Sequence, residues 1–370
     1  MNAKKSDVVF LTITIILFLA GFFILASASL GMAAKTDKNA YYPLLKQIII
    51  GGVGGFILLL TTSRIHYKNW RKWALFLFIF SFLLTLLVLV PKIGFWHGGA
   101  KRWLSLGSFS FQPSELLKFS FVVYLSSWLA KRKNEIGSFR SGLLPFLIIA
   151  GFAAVALVLQ PDIGTLGVMC LTGAILFFLA GGKFTQIGIV ILAGLAILAI
   201  LIFVNSKSAK PYMKARVLVF MNNSADTQGS GYQLNQAKIA LGSGGIFGRG
   251  FGQGLSKFNN LPEPMGDSIF AIVGEEFGFL GTVSIVFLFV VFLYRAMAIA
   301  SSVPDNFGRL LVSGIAILIV LQAFINMYAI VGLVPLTGLP LIFISQGGSA
   351  LAIAMAEIGV ILNISKYRRI

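Results

Sequence analysis

The sequence is poor in charged residues, which make up only 11% of its 370 positions. Soluble domains carry about 25% charged residues, so this scarcity excludes a large soluble protein. Hydrophobic residues make up 57% of the chain, and apolar runs recur from end to end. Most runs approach the ~20 residues that an α-helix needs to cross about 30 Å of hydrocarbon. The composition therefore indicates a polytopic membrane protein.

Cysteine and histidine are also nearly absent. The single Cys170 excludes a disulfide or a cysteine metal site within one chain. The two histidines, His66 and His97, have no partner at metal-ligand spacing. The sequence lacks the H-E-x-x-H, G-x-S-x-G and Walker A motifs, which excludes the enzyme classes that depend on them.

Acidic residues are the scarcer charge: 12 Asp and Glu stand against 30 Lys and Arg, which gives a net charge of +18. The basic residues fall in the gaps between apolar runs without interleaved aromatic residues, so no nucleic-acid partner is expected. They concentrate in alternate gaps, for example at Lys131, Lys133 and Arg140. Because cytoplasmic loops carry the excess of Lys and Arg, we expect both termini to be cytoplasmic.

The apolar runs predict an all-α fold of about ten transmembrane helices in a single membrane domain over residues 1–370. The expected spans are 8–30, 43–63, 73–91, 113–130, 141–159, 162–181, 185–205, 267–294, 308–333 and 339–364. The first run is too long for a signal peptide and is expected to be an uncleaved span. Residues 206–266 are then expected to form one large extracytoplasmic loop.

The expected outer loop contains a glycine-rich stretch, "GSGGIFGRGFGQGLSKFNNLPEP", at 242–264. Its spacing does not fit G-x-G-x-x-G, and no strand–helix unit surrounds it, so a dinucleotide site is excluded. Glycine permits close backbone approach and positive φ. Two interpretations stay open, a flexible loop and a backbone cradle for a phosphate.

Six acidic residues fall within or at the edge of predicted spans: Glu115, Asp162, Asp267, Glu275, Glu276 and Glu357. Ionisable groups in a membrane are expensive, so each suggests either a functional site or an internal ion pair. Glu115 and Lys118 are three residues apart on one helix face and are expected to pair. That pair is compatible with a structural and with a functional role.

Asp267 follows a proline-containing loop at the expected outer end of a span, where a helix N-terminus favours an anion. It is an N-cap, which Asp suits, a carboxylate that a substrate can reach, or both at once. Glu275 lies about 80° around a helix from Asp267 and Glu276 about 180°. We therefore expect Glu275 to face the same cavity and Glu276 to meet a neighbouring helix.

Four segments together resemble a known family. They are "RWLSLGSFSFQPSELLK" (102–118), "QPDIGT" (160–165), "GSGGIFGRGFGQGLSKFNNLPEPMGDSIFAIVGEEFGFLG" (242–281) and "PLIFISQGGSALA" (340–352). They are similar to the signatures of the SEDS family, FtsW and RodA, with the third segment closer to FtsW. Gln346 departs from the family, which usually has Tyr in "ISYGGSS".

The resemblance implies a peptidoglycan glycosyltransferase that polymerises lipid II on the outer face of the bacterial plasma membrane during division or growth. It implies a class B penicillin-binding protein as partner, with other divisome or elongasome membrane proteins. The catalytic aspartate of the family corresponds to Asp267. The substrate-binding residues expected here are Arg102, Glu115, Lys118, Gln160, Asp162, Lys257, Glu263, Glu275, Glu276, Ser345, Gly347, Gly348 and Ser349.

The chemistry of lipid II agrees with these residue types. One carboxylate can act as general base on the acceptor 4-hydroxyl, while Arg102, Lys118 and Lys257 stabilise the leaving diphosphate. A divalent cation, Mg²⁺ or Mn²⁺, is an expected helper, and no organic cofactor is expected. The alternatives are a lipid II flippase and an ion-coupled transporter. The absence of an internal repeat counts against the transporter, and a flippase has no proton for Asp267 to abstract.

Overall fold

The computed structural model describes residues 5–33, 42–91, 93–97, 100–106, 109–204, 216, 219–220, 229–259 and 261–368. Helices dominate, as the sequence predicts. They are α1 (Val8–Ala33), α2 (Tyr42–Lys46), α3 (Gly55–Arg64), α4 (Tyr67–Leu87), α5 (Pro113–Lys131), α6 (Leu144–Leu159), α7 (Ile163–Leu179), α8 (Phe184–Val204), α9 (Ser230–Ser243), α10 (Ser256–Asn259), α11 (Ile269–Ser302), α12 (Asn306–Val331) and α13 (Gly348–Ser365). A wider π-helical turn, Gln47–Gly54, joins α2 to α3, and another, Phe139–Leu143, precedes α6.

The helices make this a multi-pass membrane protein. Within the described residues, 7 helical segments are long and apolar enough to cross a membrane. The helix α7 is shorter, and α5 carries Glu115, Lys118 and Lys131. The count of ten spans and the side on which the termini lie therefore stay predictions.

Most predicted spans coincide with helices to within a few residues, but three are misplaced at one end or both. The helix predicted to end at residue 294 continues to Ser302. The span predicted at 73–91 is the helix Tyr67–Leu87. The last span was expected from residue 339, whereas α13 begins only at Gly348. Pro340 provides no backbone N–H, and Gly347 and Gly348 carry no side chain that favours a helix, so residues 339–347 form turns instead.

The centre of the bundle is α12. Its first turn is capped by the Asp305 carboxylate, which accepts from the Gly308 N–H at 3.1 Å, and it ends at Gly332 in the left-handed conformation. Side chains on nearly every face of α12 are buried, because it packs against α5, α7, α9, α11 and α13. Polar groups on α12 are therefore placed to contact several elements at once.

A small antiparallel sheet departs from the all-α expectation. Its strands are β1 (Gly94–His97), β2 (Ala100–Leu106) and β3 (Phe109–Phe111), in the order β1-β2-β3. The sheet lies just before α5, which starts with Pro113 in its first turn. The sheet was not predicted from the sequence, because its strands are too short for a clear alternation.

The glycine-rich stretch fills a break in α11. At Gly278 the backbone has φ 67° and ψ −161°, which interrupts the helix. The polar groups that the break releases bind the backbone of residues 245–250: Arg249 N to Glu275 O (3.0 Å), Gly250 N to Glu276 O (3.0 Å), Phe279 N to Gly245 O (2.9 Å) and Leu280 N to Ile246 O (3.2 Å). Buried backbone groups need such partners, above all in a membrane protein.

Glycine is required at this contact because two backbones touch there. A Cβ on Gly244 would lie 1.9 Å from the Gly274 oxygen, and one on Gly248 would lie 2.1 Å from the Glu276 oxygen. The backbone N–H groups of residues 249 and 250 are used by α11. Over this stretch, both interpretations offered by the sequence, a flexible loop and a phosphate cradle, are wrong.

We predict that Gly278→Ala destabilises the protein by about 2 kcal/mol or more, because its φ and ψ are accessible almost only to glycine. An added Cβ would also lie 2.4 Å from the Gly248 nitrogen. The measurement is the thermal unfolding midpoint in detergent. The matched control is Gly242→Ala in α9, where a Cβ meets nothing within 4 Å. Equal midpoints for the two variants would contradict the assigned break.

Candidate functional site

Asp267 lies in the turn that leads into α11. The helix starts at Ile269, and its N-cap is Ser268, which makes no side-chain capping bond. Asp267 is therefore not the N-cap, and this alternative from the sequence is wrong. Its Oδ1 instead accepts a hydrogen bond of 3.0 Å from Gln233 Nε2 on α9.

Residues 345–346 hold this turn from one side. Ser345 Oγ donates to the Gly266 oxygen at 2.7 Å, and the Gln346 N–H donates to the Met265 oxygen at 2.7 Å. Both contacts use main-chain atoms of the Asp267 turn. The segment that breaks the start of the last predicted span thus serves as a backbone support for Asp267.

Asn326 of α12 holds the turn from the other side. Its Nδ2 donates to the Asp267 backbone oxygen at 2.9 Å and to the Leu339 oxygen at 2.8 Å. Asn326 is buried, and its Oδ1 is buried without a hydrogen-bond partner among the described residues. One amide group therefore fixes both the Asp267 turn and the chain that follows α12.

The surroundings of Asp267 make its carboxylate more basic than that of an ordinary aspartate. Burial raises its pKa to about 6, with the Glu263 carboxylate also raising it, while Arg216 and the hydrogen bond from Gln233 lower it. Asp267 as a residue is half-buried, so it is not sealed off from its surroundings. At neutral pH the group is mainly ionised, and it can accept a proton.

Three residues at this site were not predicted from the sequence: Gln233, Asn326 and Arg216. The first two are neutral, so a search for charges in apolar runs passes over them. Asn326 did carry a signal, because it lies four residues after Gln322 on one face of an apolar helix. Arg216 was one of several basic residues in a long segment, and nothing local distinguishes it.

The predicted pair of Glu115 and Lys118 is confirmed. The Glu115 Oε2 to Lys118 Nζ distance is 2.9 Å, and both side chains are buried. Lys118 Nζ also donates to the side-chain oxygen of Gln322 on α12. Gln322 Nε2 in turn donates to the Pro340 oxygen at 3.1 Å. The pair is thereby linked to the same 339–340 chain that Asn326 binds.

Glu276 and Lys257 form a second buried pair, 2.5 Å apart, with both side chains fully buried. Glu276 also accepts from Ser27 Oγ on α1, so the prediction that it meets a neighbouring helix is confirmed. Lys257 Nζ donates to the same hydroxyl at 2.8 Å. The ammonium of Lys257 is thus enclosed, and its predicted contact with a diphosphate would require this pair to open.

Glu275 does not face Asp267, so the expectation of a shared cavity is wrong. Its Oε1 accepts from the N–H groups of Leu255 (2.9 Å) and Ser256 (3.3 Å). The angular argument failed because Asp267 lies before the helix starts. Glu275 and Glu276 use both backbone and side-chain oxygens to bind residues 249–257.

Arg102 and Asp162 form another group beside the sheet. Arg102 Nη1 lies 3.7 Å from Asp162 Oδ1. Asp162 caps α7 by accepting from the Thr165 N–H at 3.4 Å, and it also accepts from Thr165 Oγ1 at 2.8 Å. Gln160 donates to the Thr85 oxygen. These contacts join β2 to the turn between α6 and α7, apart from the contacts made by Asp267.

The remaining predicted residues lie at the start of α13. Gly347 N donates to Gln47 Oε1 at 3.0 Å, Gly348 is the first helical residue, and Ser349 Oγ accepts from Gln112 N at 3.4 Å. Of the predicted residues, Asp267, Glu263 and Ser345 therefore belong to one turn and the segment that supports it. Gln322 and Asn326 of α12 connect this turn to Glu115 and Lys118. Substrate binding by each of these residues stays a prediction.

The expected divalent cation would need several His, Cys, Asp or Glu side chains close together. Among the described residues, no three His, Cys, Asp or Glu side chains come together as a metal site. Asp267 and Glu263 are the acidic side chains that interact at this turn. The described residues therefore offer no set of three protein ligands, and the divalent cation stays a prediction.

Comparison with known proteins gives a consistent result. The FtsW/RodA/SpoVE family model, "Cell cycle protein", matches residues 7–370. Stage V sporulation protein E of Bacillus subtilis (strain 168) is 37% identical over 374 residues, covering 100% of both chains. A probable peptidoglycan glycosyltransferase FtsW of Geobacter sp. (strain M18) is 38% identical over 366 residues, covering 98% of this chain and 97% of that protein. A chain from a solved peptidoglycan synthase complex, studied for its coordination of polymerization and crosslinking, has a TM-score of 0.78 and 26% identity, covering 98% of this chain and 99% of its own.

We predict that removing one partner of the Glu115–Lys118 pair costs more stability than removing both, because a lone buried charge is the expensive species. Glu115→Gln, Lys118→Met and the double variant are compared by thermal unfolding in detergent. A coupling on the order of 1–3 kcal/mol is expected.

The matched control for this cycle is the exposed pair of Arg132 and Glu135, which has the same spacing and a distance of 3.7 Å. Its coupling is expected to stay below about 1 kcal/mol. Additive effects at Glu115 and Lys118, like those of the exposed pair, would show that the buried contact contributes no coupling.

Proposed function

Because the chain belongs to the FtsW/RodA/SpoVE family of cell cycle proteins, we propose that it is a peptidoglycan glycosyltransferase that polymerises lipid II. The observation that carries this proposal is Asp267. It is a half-buried carboxylate of raised pKa, in a turn that Gln233, Asn326 and Ser345 hold. The motifs from which the sequence analysis inferred the family are confirmed by the match over nearly the whole chain.

Asp267 acts as general base in the proposed reaction. It removes the proton from the 4-hydroxyl of the acceptor sugar while that oxygen forms a bond to C1 of the donor sugar. The bond between C1 and the diphosphate oxygen breaks, and the lipid diphosphate leaves with the electron pair. A base with a pKa near the working pH suits this step, since it is ionised and still basic.

The leaving diphosphate needs positive charge more than it needs a proton. We propose Arg216 for this role, because it interacts electrostatically with Asp267 and is held by the Leu336 oxygen at 2.9 Å. Arg102 is a second candidate, since its side chain is 13% exposed. Lys257 is enclosed with Glu276 and is not assigned a role. Preorganised cations of this kind stabilise the charge that develops on a leaving group.

A class B penicillin-binding protein is the proposed partner, because it would cross-link the glycan strands that this protein makes. The similar solved chain comes from a peptidoglycan synthase complex, which supports a partner of that kind. We also propose a bacterial plasma-membrane location, with both termini cytoplasmic and the Asp267 turn outside, from the distribution of Lys and Arg.

The direct test of the proposed function uses the purified protein in detergent with lipid II, alone and with the partner. Glycan polymer on a gel is the expected product. Movement of lipid II across vesicle membranes without polymer in either preparation would overturn the glycosyltransferase and favour the flippase.

We predict that Asp267→Asn lowers the polymerisation rate by roughly 10²-fold or more, the range for loss of acid–base assistance. Binding of lipid II should persist, because a base acts on the barrier more than on the ground state. The matched control is Asp305→Asn at the α12 N-cap, where Asn caps about as well as Asp. A well-folded Asp267→Asn protein with substantial polymerisation would move the base to another residue.

The polymerisation rate should also depend on pH in a defined direction. The carboxylate must be unprotonated to act, and burial raises the pKa of Asp267 to about 6. The rate is therefore expected to be high at neutral pH and to fall about tenfold per unit below pH 6. Initial rates measured across this range, with protein folding checked at each pH, test the prediction. A rate that stays constant well below pH 6 would contradict this role of Asp267.

A further inference from the structure

Gln233 is the side chain that binds the Asp267 carboxylate directly. Its Nε2 donates to Asp267 Oδ1 at 3.0 Å and to Ser268 Oγ at 2.9 Å. An amide nitrogen carries two hydrogens, so these two bonds use both. Two partners on adjacent residues leave the amide group one orientation, and Gln233 is itself buried.

The helix that carries Gln233 is fixed relative to Asp267. The helices α9 and α11 pack closely, since a Cβ on Gly274 of α11 would lie 2.4 Å from the Leu241 side chain. Just after α9, Gly244 touches the Gly274 oxygen, and the following residues bind the break in α11. The distance between Gln233 and the start of α11 is thus set by backbone packing.

The Asp267 backbone is fixed independently by Asn326, which donates to its oxygen at 2.9 Å. What then stays variable at Asp267 is the rotation of its own side chain. The Gln233 bond to Oδ1 settles that rotation. The second oxygen, Oδ2, is consequently presented in one direction.

We propose that Gln233 is a positioning residue for the general base, holding Asp267 Oδ1 so that Oδ2 receives the proton of the acceptor hydroxyl. This inference rests on the proposed glycosyltransferase function. It goes beyond that function by assigning the reacting oxygen and by identifying the neutral side chain that controls it.

The same bond controls when Asp267 is ionised. Burial and Glu263 raise its pKa, and Arg216 and Gln233 lower it. A hydrogen bond donated to the charged form stabilises that form. Without the Gln233 amide, Asp267 must therefore hold its proton to a higher pH, a change that loss of packing alone does not produce.

The test compares Gln233→Met, which keeps the length of the side chain but removes the donor, with the wild type. For polymerisation of lipid II we expect kcat to fall about tenfold while KM stays within about twofold. The acid limb of the pH–rate profile should move to higher pH by about half a unit or more. Gln233→Glu, which places a second carboxylate beside Asp267, should move that limb further in the same direction.

The matched control is Gln236→Met, the same replacement one turn along α9, and it should keep the wild-type pH profile. Infrared spectroscopy gives a second readout, because it follows protonation of Asp267 through the carboxylic acid band. The band of Asp267 is identified as the one that Asp267→Asn removes. The pH midpoint of this band should rise in Gln233→Met whether or not lipid II is present. If Gln233→Met fails to fold, as judged by gel filtration, the acid limb and the infrared midpoint are measured in Gln233→Glu instead.

The outcomes separate the two proposals. An unshifted acid limb and infrared midpoint in a folded Gln233 variant would overturn the positioning role while wild-type polymerisation continued to support the glycosyltransferase. A wild-type protein that makes no polymer, alone or with its partner, would overturn the proposed function. A raised infrared midpoint in that case would still support control of the Asp267 proton by Gln233, and the assignment of Oδ2 to a sugar hydroxyl would be wrong.

Discussion

The break in α11 at Gly278 is the constraint on which the site depends. A helix interrupted in an apolar environment exposes N–H and C=O groups that must find partners, and residues 245–250 supply them. That requirement draws the chain after α9 against the middle of α11. Since Gln233 lies on α9 and Asp267 lies at the start of α11, the same contact fixes the distance between them.

The carboxylates of Glu275 and Glu276 extend this contact. Their side chains bind the N–H groups of residues 252, 255 and 256, and Glu276 pairs with Lys257. A buried pair is weak support for stability by itself, because desolvation offsets its attraction. Here the carboxylates also accept from backbone N–H groups of residues 252, 255 and 256, so they fix the path of this stretch.

The sequence reveals those features of the site that are local or carried by a motif. Glu115 and Lys118 pair because three residues of one helix separate them, and Asp267 was identified by the motif around it. Gln233, Asn326 and the enclosure of Lys257 depend on partners supplied by distant elements, for which helical spacing has no signal. Glu275 was misplaced because its direction was counted from a helix start two residues too early. The β-sheet was missed because three short strands do not show a clear period.

The contacts around Asp267 also bear on Gln346, the position where the sequence was expected to depart from its family. The bond from this residue to Met265 uses its backbone N–H, which every residue except proline provides. Support of this kind fixes the path of the turn while leaving the side chain at 346 free to vary. Control of the carboxylate itself then falls to Gln233, the one described side chain that donates to Asp267 Oδ1. The demands on sequence are consequently unequal: strict at the side chains of Gln233, Asn326 and Ser345, which donate to this turn, and loose at residue 346, which supports it through its main chain.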